Sequence, residues 1–218
     1  MKKVIVILVL VFLLLFLLID KKSENSKSIV QKYPWQIKVL ADGKSQVFGI
    51  ILSETTLREA NAILNSTPQM ALFDSDKKLS LEAYYKNVTL GGLIGSFILS
   101  LDASEETLQR IKKASIKEKK AESKGERYNL DKPTADSVQS FIVKNLIYVP
   151  TVQLDEELIA KRFGKAEFKL PLKIKEKGWH YIYPEKGLDL IYKEEGKEVL
   201  QYVLPKDINE LLAPLQAQ

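Results

Sequence analysis

The chain has 218 residues, with no cysteine, one histidine, and 33 Lys and Arg against 28 Asp and Glu. The missing cysteines exclude a disulfide framework, a thiol nucleophile, thiolate zinc sites and a lipid-bearing cysteine. A formal charge of +5, part of it from Lys2 and Lys3, is too balanced to argue for a nucleic-acid partner.

Met1-Lys2-Lys3 leads into an unbroken apolar run from Val4 to Ile19, which ends at Asp20-Lys21-Lys22. Basic residues ahead of such a run are the pattern of a signal peptide or signal anchor. As a helix the run spans roughly 24 Å, somewhat less than a hydrocarbon core of ~30 Å. Snorkelling by Lys2, Lys3, Lys21 and Lys22 and local thinning of the bilayer cover the shortfall. No small-residue cleavage site follows directly; the nearest, Ser26-Lys27-Ser28, is late and flanked by charge. Residues 1–22 are therefore predicted to be an uncleaved transmembrane signal anchor, with 4–19 in the membrane and 23–32 as a polar tether. Lys2 and Lys3 on one side balance Lys21, Lys22 and Lys27 on the other, so the positive-inside rule gives no clear vote. The Met-Lys-Lys start is that of a bacterial N-in segment. It predicts a single-pass protein of the bacterial inner membrane with a periplasmic domain. Asn65-Ser66-Thr67 and Asn87-Val88-Thr89 then read as chance rather than as glycosylation acceptors.

Residues 33–102 read as a first α+β unit. Asp42-Gly43 between the β-prone runs Tyr33–Leu40 and Ser45–Ile51 predicts a hairpin. Thr56-Leu57-Arg58-Glu59 is a capping box opening a helix with Leu57, Ala60, Ile63 and Leu64 on one face, ended by Asn65 to Pro68. Three strands follow, Leu79–Tyr85, Val88–Leu93 and Ser96–Leu101, punctuated by Gly91-Gly92 and Gly95. Residues 103–132 read as a charged helical connector. From Ser104 to Arg127 eight basic residues face five acidic ones. Mixed signs at i,i+4 spacing describe a solvated helix; the alternative is that Lys112–Arg127 contacts anionic lipid.

Residues 133–218 read as a second α+β unit. Pro133 opens an amphipathic helix over Thr134–Asn145 with Val138, Phe141 and Ile142 inward, and Leu146–Pro150 is a short strand. Asp155 caps a helix with Leu158, Ile159 and Phe163 on its buried face and Gly164 at its end. The strands Trp179–Tyr183, Leu188–Tyr192 and Val199–Leu204 follow, with Gly187 and Gly196 between them. The predicted fold class is thus α+β: a transmembrane helix, then two units of helix plus antiparallel three-strand meander joined by the charged connector.

Phe163-Gly164, Trp179-x-Tyr181, Leu188-x-Leu190-x-Tyr192 and Gly196-Lys197-Glu198-Val199 carry a resemblance over residues 154–204. This stretch resembles the small envelope lipoproteins of the SmpA/OmlA type (BamE-like) and the tandem modules of β-lactamase-inhibitor-like proteins. Residues 55–101 echo it faintly. The resemblance implies a helix-plus-meander fold and an envelope location.

Catalytic signals are few. His180 is expected to face opposite to Trp179 and Tyr181 and toward solvent, without a nucleophile context. One histidine with no cysteine leaves only carboxylates for a metal, and neither a metal nor a cofactor is predicted. Glu105-Glu106 and Glu156-Glu157 complement helix dipoles, and Gly91-Gly92 lacks the continuation of a phosphate-binding loop. The candidate partner-binding residues are Trp179, Tyr181 and Tyr183, which share one strand face; as a groove it receives a partner's segment, but aromatic strand residues favour the reading that it packs on the helices as core. The expected function is a membrane-anchored, non-catalytic interaction module with an envelope protein partner. The alternatives are an enzyme of unrecognised type on envelope substrates and a lipid-surface-binding protein.

Overall fold

Period-two alternation of apolar and polar residues dominates the second and third quarters of the chain and determines how it folds. The computed structural model describes residues 32–75, 78–118, 125–173 and 177–216. The predicted anchor and nearly all of its tether lie outside the described residues. Among those described, no helix is long and apolar enough to cross a membrane. Residues Lys32–Gln218 form one compact unit.

The predicted turn at Asp42-Gly43 joins β1 (Lys38–Val39) to β2 (Ser45–Val47). Gly43 sits at φ +81°, the Lys44 N–H donates to Asp42 Oδ1, and the Leu40 N–H donates to the Lys44 carbonyl. β3 (Ile50–Ile51) completes a small three-stranded sheet. Between β2 and β3, Phe48 is held at φ +54°. A bulky residue pays for that conformation about 1–2 kcal/mol. The ring offsets it by lying 5.0 Å from Phe97, 4.9 Å from Tyr148 and 6.1 Å from Tyr202.

Helix α1 (Leu57–Leu64) has the full capping box: the Glu59 N–H donates to the Thr56 hydroxyl and the Thr56 N–H to Glu59 Oε2. Asn65 ends it in the left-handed conformation. There follow β4 (Gln69–Ser75), β5 (Lys78–Leu90) and β6 (Leu93–Leu101), then α2 (Glu105–Ala114). The expected break between strands at Tyr85 and Val88 is a bulge within β5, where Asn87 takes φ +52°.

The charged connector is helical only as far as Ala114. β7 (Ile116–Lys117) turns back to pair with β8 (Glu126–Asn129), which joins the sheet beside β4. The cause is Tyr128, whose buried ring gives this polar stretch an apolar residue to place on the core. The expected helix over Thr134–Asn145 is likewise shorter. α3 (Lys132–Ser137) passes through a 3₁₀ turn at Val138–Ser140 into β9 (Val143–Pro150). Pairing along β9 overrides helical propensity there.

Asp155 caps α4 (Glu156–Phe163) through the Leu158 N–H at 2.6 Å, and Gly164 ends it. β10 (Phe168–Pro171), β11 (Gly178–Tyr183), β12 (Leu188–Lys193), β13 (Val199–Tyr202) and α5 (Ile208–Gln216) complete the chain.

The two separate helix-plus-meander units expected from the sequence do not form. One antiparallel sheet of ten strands, ordered β10-β11-β12-β13-β9-β6-β5-β4-β8-β7, runs through both halves. β9 makes the join. Leu146, Ile147 and Tyr148 pair with Tyr202, Gln201 and Leu200 on one side, and with Leu99, Ile98 and Phe97 on the other. Two three-strand meanders standing alone would each expose unpaired edge amides and carbonyls; ladders on both sides of β9 satisfy them.

Helices α1, α2 and α4 and the small sheet bury one face of the large sheet in a single core. On that face Tyr148 crosses Gly95 so closely that a Cβ there would lie 2.2 Å from the ring. Gly95→Ala is expected to destabilise the fold by about 2–3 kcal/mol, as overpacking of a filled core does. Urea unfolding of the full chain in detergent measures it. Gly95→Ala combined with Tyr148→Leu should cost less than the sum of the single changes; strictly additive costs would mean that this contact does not decide the packing.

Candidate functional site

The second face of the sheet is where the described structure leaves side chains uncovered. Along β5, β6, β9 and β13 the residues alternate, fully buried on the core face and half-buried on the other. Cross-strand register lines up Tyr84, Ile98, Ile147 and Gln201 in one row. In the adjacent row Val149 lies beside Ser96, and Val199 beside Ile191. A polar margin flanks them, in which Glu82 pairs with Ser100 and Ser100 with Asn145. The Ser80 hydroxyl donates to Glu82 at 3.0 Å, and burial still pushes the Glu82 carboxyl up. Among the described residues only α5 packs on this side, placing Ile208 and Leu212 against Ile182 and Val203.

His180 lies on the same face, opposite Leu170, which packs against the α5 cluster. It points away from Trp179 and Tyr181, as strand alternation requires, but it is buried rather than solvent-facing, on the face that carries α5. Its Nδ1 is 2.8 Å from Asp189 Oδ2 and 3.1 Å from Oδ1, and Asp189 is 2% exposed. Asp189 was the missed partner. An acid inside the apolar strand Leu188-Asp189-Leu190-Ile191 requires one, and the sole histidine lies on the adjoining strand. A carboxylate on Nδ1 orients the ring as in a general-base pair. Among the described residues, however, Asp189 is the imidazole's one hydrogen-bonding partner, so no nucleophile is in line with it. No group of three His, Cys, Asp or Glu suited to a metal occurs among the described residues.

On the core face, Trp179, Tyr181 and Tyr183 share one side of β11 but have different surroundings. Tyr183 is core: its ring packs 6.3 Å from Phe163, its hydroxyl donates to the Gly164 carbonyl, and burial moves the phenol up to about 12. Tyr181 is buried except at its rim, where its hydroxyl donates to Glu156 Oε2 at 2.6 Å. Trp179 is half-buried beneath Lys169, whose ammonium lies 4.5 Å from the indole centroid.

Pro34, Trp35, Leu93, Tyr148, Pro150 and Leu158 are among the residues lining an apolar cavity of about 130 Å³. Nearby, Glu198 is fully buried, and among the described residues no side chain bonds its carboxylate, which has only loose approaches from backbone N–H groups. Burial raises its pKa, and the backbone N–H groups of Glu198 and Leu154 offset this only in part.

Three basic residues of the Lys-rich segment are paired with carboxylates where it is described. Lys112 bonds Asp74 at 2.5 Å, Lys117 bonds Glu126, and Arg127 lies 3.3 Å from Glu118.

No protein-family model, curated protein or solved structure matches this chain. The likeness to SmpA/OmlA-type lipoproteins therefore rests on its sequence motifs alone.

Glu198 has a pH signature. Its folded pKa is raised above the ordinary 4.5, so the folded state holds the proton more tightly than the unfolded one. Its contribution to stability is complete below pH 4.5 and is lost as pH rises through the folded value. Glu198→Gln should therefore gain on wild type as pH climbs from about 4.5 towards 8. Urea midpoints measured across that range test this; a difference that stays constant with pH would refute it.

Proposed function

We propose that this chain is a membrane-tethered, non-catalytic interaction module of the bacterial envelope, and that the uncovered face of its large sheet receives a protein partner. The observation behind this reading is the double row of half-buried side chains, Tyr84, Ile98 and Ile147 beside Val149, Val199 and Ile191. Residues on one face of neighbouring antiparallel strands stand about 4.5–5.5 Å apart, so these form a continuous apolar strip with a polar margin. That is the layout of an interface core with its rim. The apolar run Val4–Ile19 supports the tethering, and the Met-Lys-Lys start supports the periplasmic side.

A photo-crosslinking residue placed at Ile98 or Val199 in the tagged full-length protein should capture a partner in the cell; one placed at the exposed Lys161, on α4, should not. Ile98→Lys together with Val199→Lys should cut recovery of that partner at least tenfold and leave folding intact, because both side chains have room to reach solvent. Equal capture from all three positions, or unchanged recovery with the double variant, would sink the reading. Deleting residues 1–22 should release the protein from the membrane fraction without unfolding the sheet. Persistent membrane association of the shortened chain would contradict the tether.

A second reading, an enzyme acting on envelope substrates, has the His180–Asp189 pair in its favour. His180→Asn, whose amide can still donate to Asp189, should then abolish the cellular phenotype while the crosslinks at Ile98 and Val199 persist. The module reading expects both to survive.

A further inference from the structure

The outer corner of the core face, where β10 and β11 meet the first turn of α4, holds an ammonium group among aromatic rings. Lys169 Nζ lies 4.5 Å from the Trp179 centroid and 4.8 Å from the Tyr181 centroid. It pairs with Glu156 Oε2 at 3.0 Å, and that same oxygen accepts the Tyr181 hydroxyl at 2.6 Å. Tyr192, directly opposite Trp179 in the ladder, puts its ring 6.5 Å from Tyr181 and steeply inclined to it. Strand register produces the grouping: Lys169 stands opposite Tyr181 and Pro171 opposite Trp179, so one edge-strand lysine overlies two aromatic neighbours.

We propose that Trp179, Tyr181, Tyr192 and Glu156 form a binding site for a quaternary ammonium group, and that the Lys169 side chain occupies it as a displaceable internal stand-in. Ring faces attract a cation within about 6 Å of their centroids, and a carboxylate at the rim supplies the opposing charge. The hydroxyl bond from Tyr181 fixes that carboxylate in place, and together with Lys169 it holds the Glu156 pKa below the ordinary value. The aromatic walls are rigid: Tyr181 is 9% exposed, and Trp179 is pinned between β10 and β12. The occupant is the loose part, since the Lys169 side chain is 40% exposed and sits on the outermost strand.

The chemistry favours a quaternary over a primary ammonium as the incoming ligand. A primary amine offers the same group that Lys169 already supplies at far higher effective concentration. A trimethylammonium group is weakly hydrated, so it loses little on leaving water and keeps the full attraction of the rings. Choline is the simplest source of this chemistry, either as a free solute or as a phosphatidylcholine headgroup.

The test follows the two tryptophan indole N–H signals of the full-length protein in a maltoside detergent, since choline-based detergents would occupy the site. Trp179→Phe assigns the Trp179 signal. Tetramethylammonium and choline should shift that signal and leave the Trp35 signal unmoved, and Lys169→Ala should bind at least tenfold more tightly than wild type. Lys169→Met is the second variant should the alanine protein fold poorly. Glu156→Gln should weaken binding, and the neutral isostere 3,3-dimethylbutanol should produce no shift. In nanodiscs, a shifted signal with phosphatidylcholine and not with phosphatidylglycerol identifies the headgroup as the source. A shift only on adding soluble choline identifies the free solute. No shift of Trp179 with either cation in wild type, Lys169→Ala or Lys169→Met, or an equal shift with the neutral isostere, overturns the proposal.

Discussion

The whole arrangement depends on β9 being hydrogen-bonded along both edges. The strand lies in the middle of the sheet, with β13 on one side and β6 on the other. Its core-facing Tyr148 is the point where the halves interlock. The ring spans Gly95 on β6, touches Phe97 and Phe48, and donates weakly to the Ile94 carbonyl at 3.4 Å. A side chain at position 95 would push the ring out, and with it the ladder that carries the second half. The same ring cluster holds Phe48 in its left-handed conformation, so local strain in the small sheet is balanced by packing against the large one.

A sheet built this way needs more cover than the described residues provide. α1, α2, α4 and the small sheet all lie on one face. On the other, α5 shields Ile182 and Val203 at one end, while β5, β6, β9 and β13 keep the in-and-out alternation of a one-sided antiparallel sheet. A one-sided sheet ordinarily turns polar residues outward. Here Ile98, Ile147, Val149 and Val199 take those positions across two adjacent rows. A surface of that composition is best accounted for by something that rests on it.

Local signals were legible wherever the chemistry is local. The Thr56 capping box, the Asp42-Gly43 turn, the Asp155 cap and the Gly164 helix end all stand where the residues announce them, because each depends on neighbours within four positions. What could not be read was pairing between distant segments. β4 is a short apolar run that periodicity alone cannot tell from a helical segment, and β8 is polar except for Tyr128. Both become strands because a neighbouring strand offers an edge. The solvent-facing expectation for His180 failed for the same reason: strand alternation set its direction correctly, but its environment depends on distant segments packed on that face. The three aromatic residues on β11 were legible as one face, whereas their division into core (Tyr183), rim (Tyr181) and half-exposed wall (Trp179) depends on where α4 and β10 lie.

The point at which the chain enters the compact unit ties these layers together. Tyr33 stacks on Trp35 at 4.9 Å, Trp35 meets Phe163 of α4 edge-on, and the guanidinium of Arg162 covers its indole at 4.8 Å. The Pro34 carbonyl accepts the buried Tyr202 hydroxyl at 2.9 Å. The first described residues are thus fastened both to α4, which supplies Glu156 to the aromatic corner, and to β13, which borders β9. The entry point and the uncovered face thus lie on opposite sides of the sheet: Trp35 packs into the core cluster through Phe163, whereas Ile98 and Val199 point the other way.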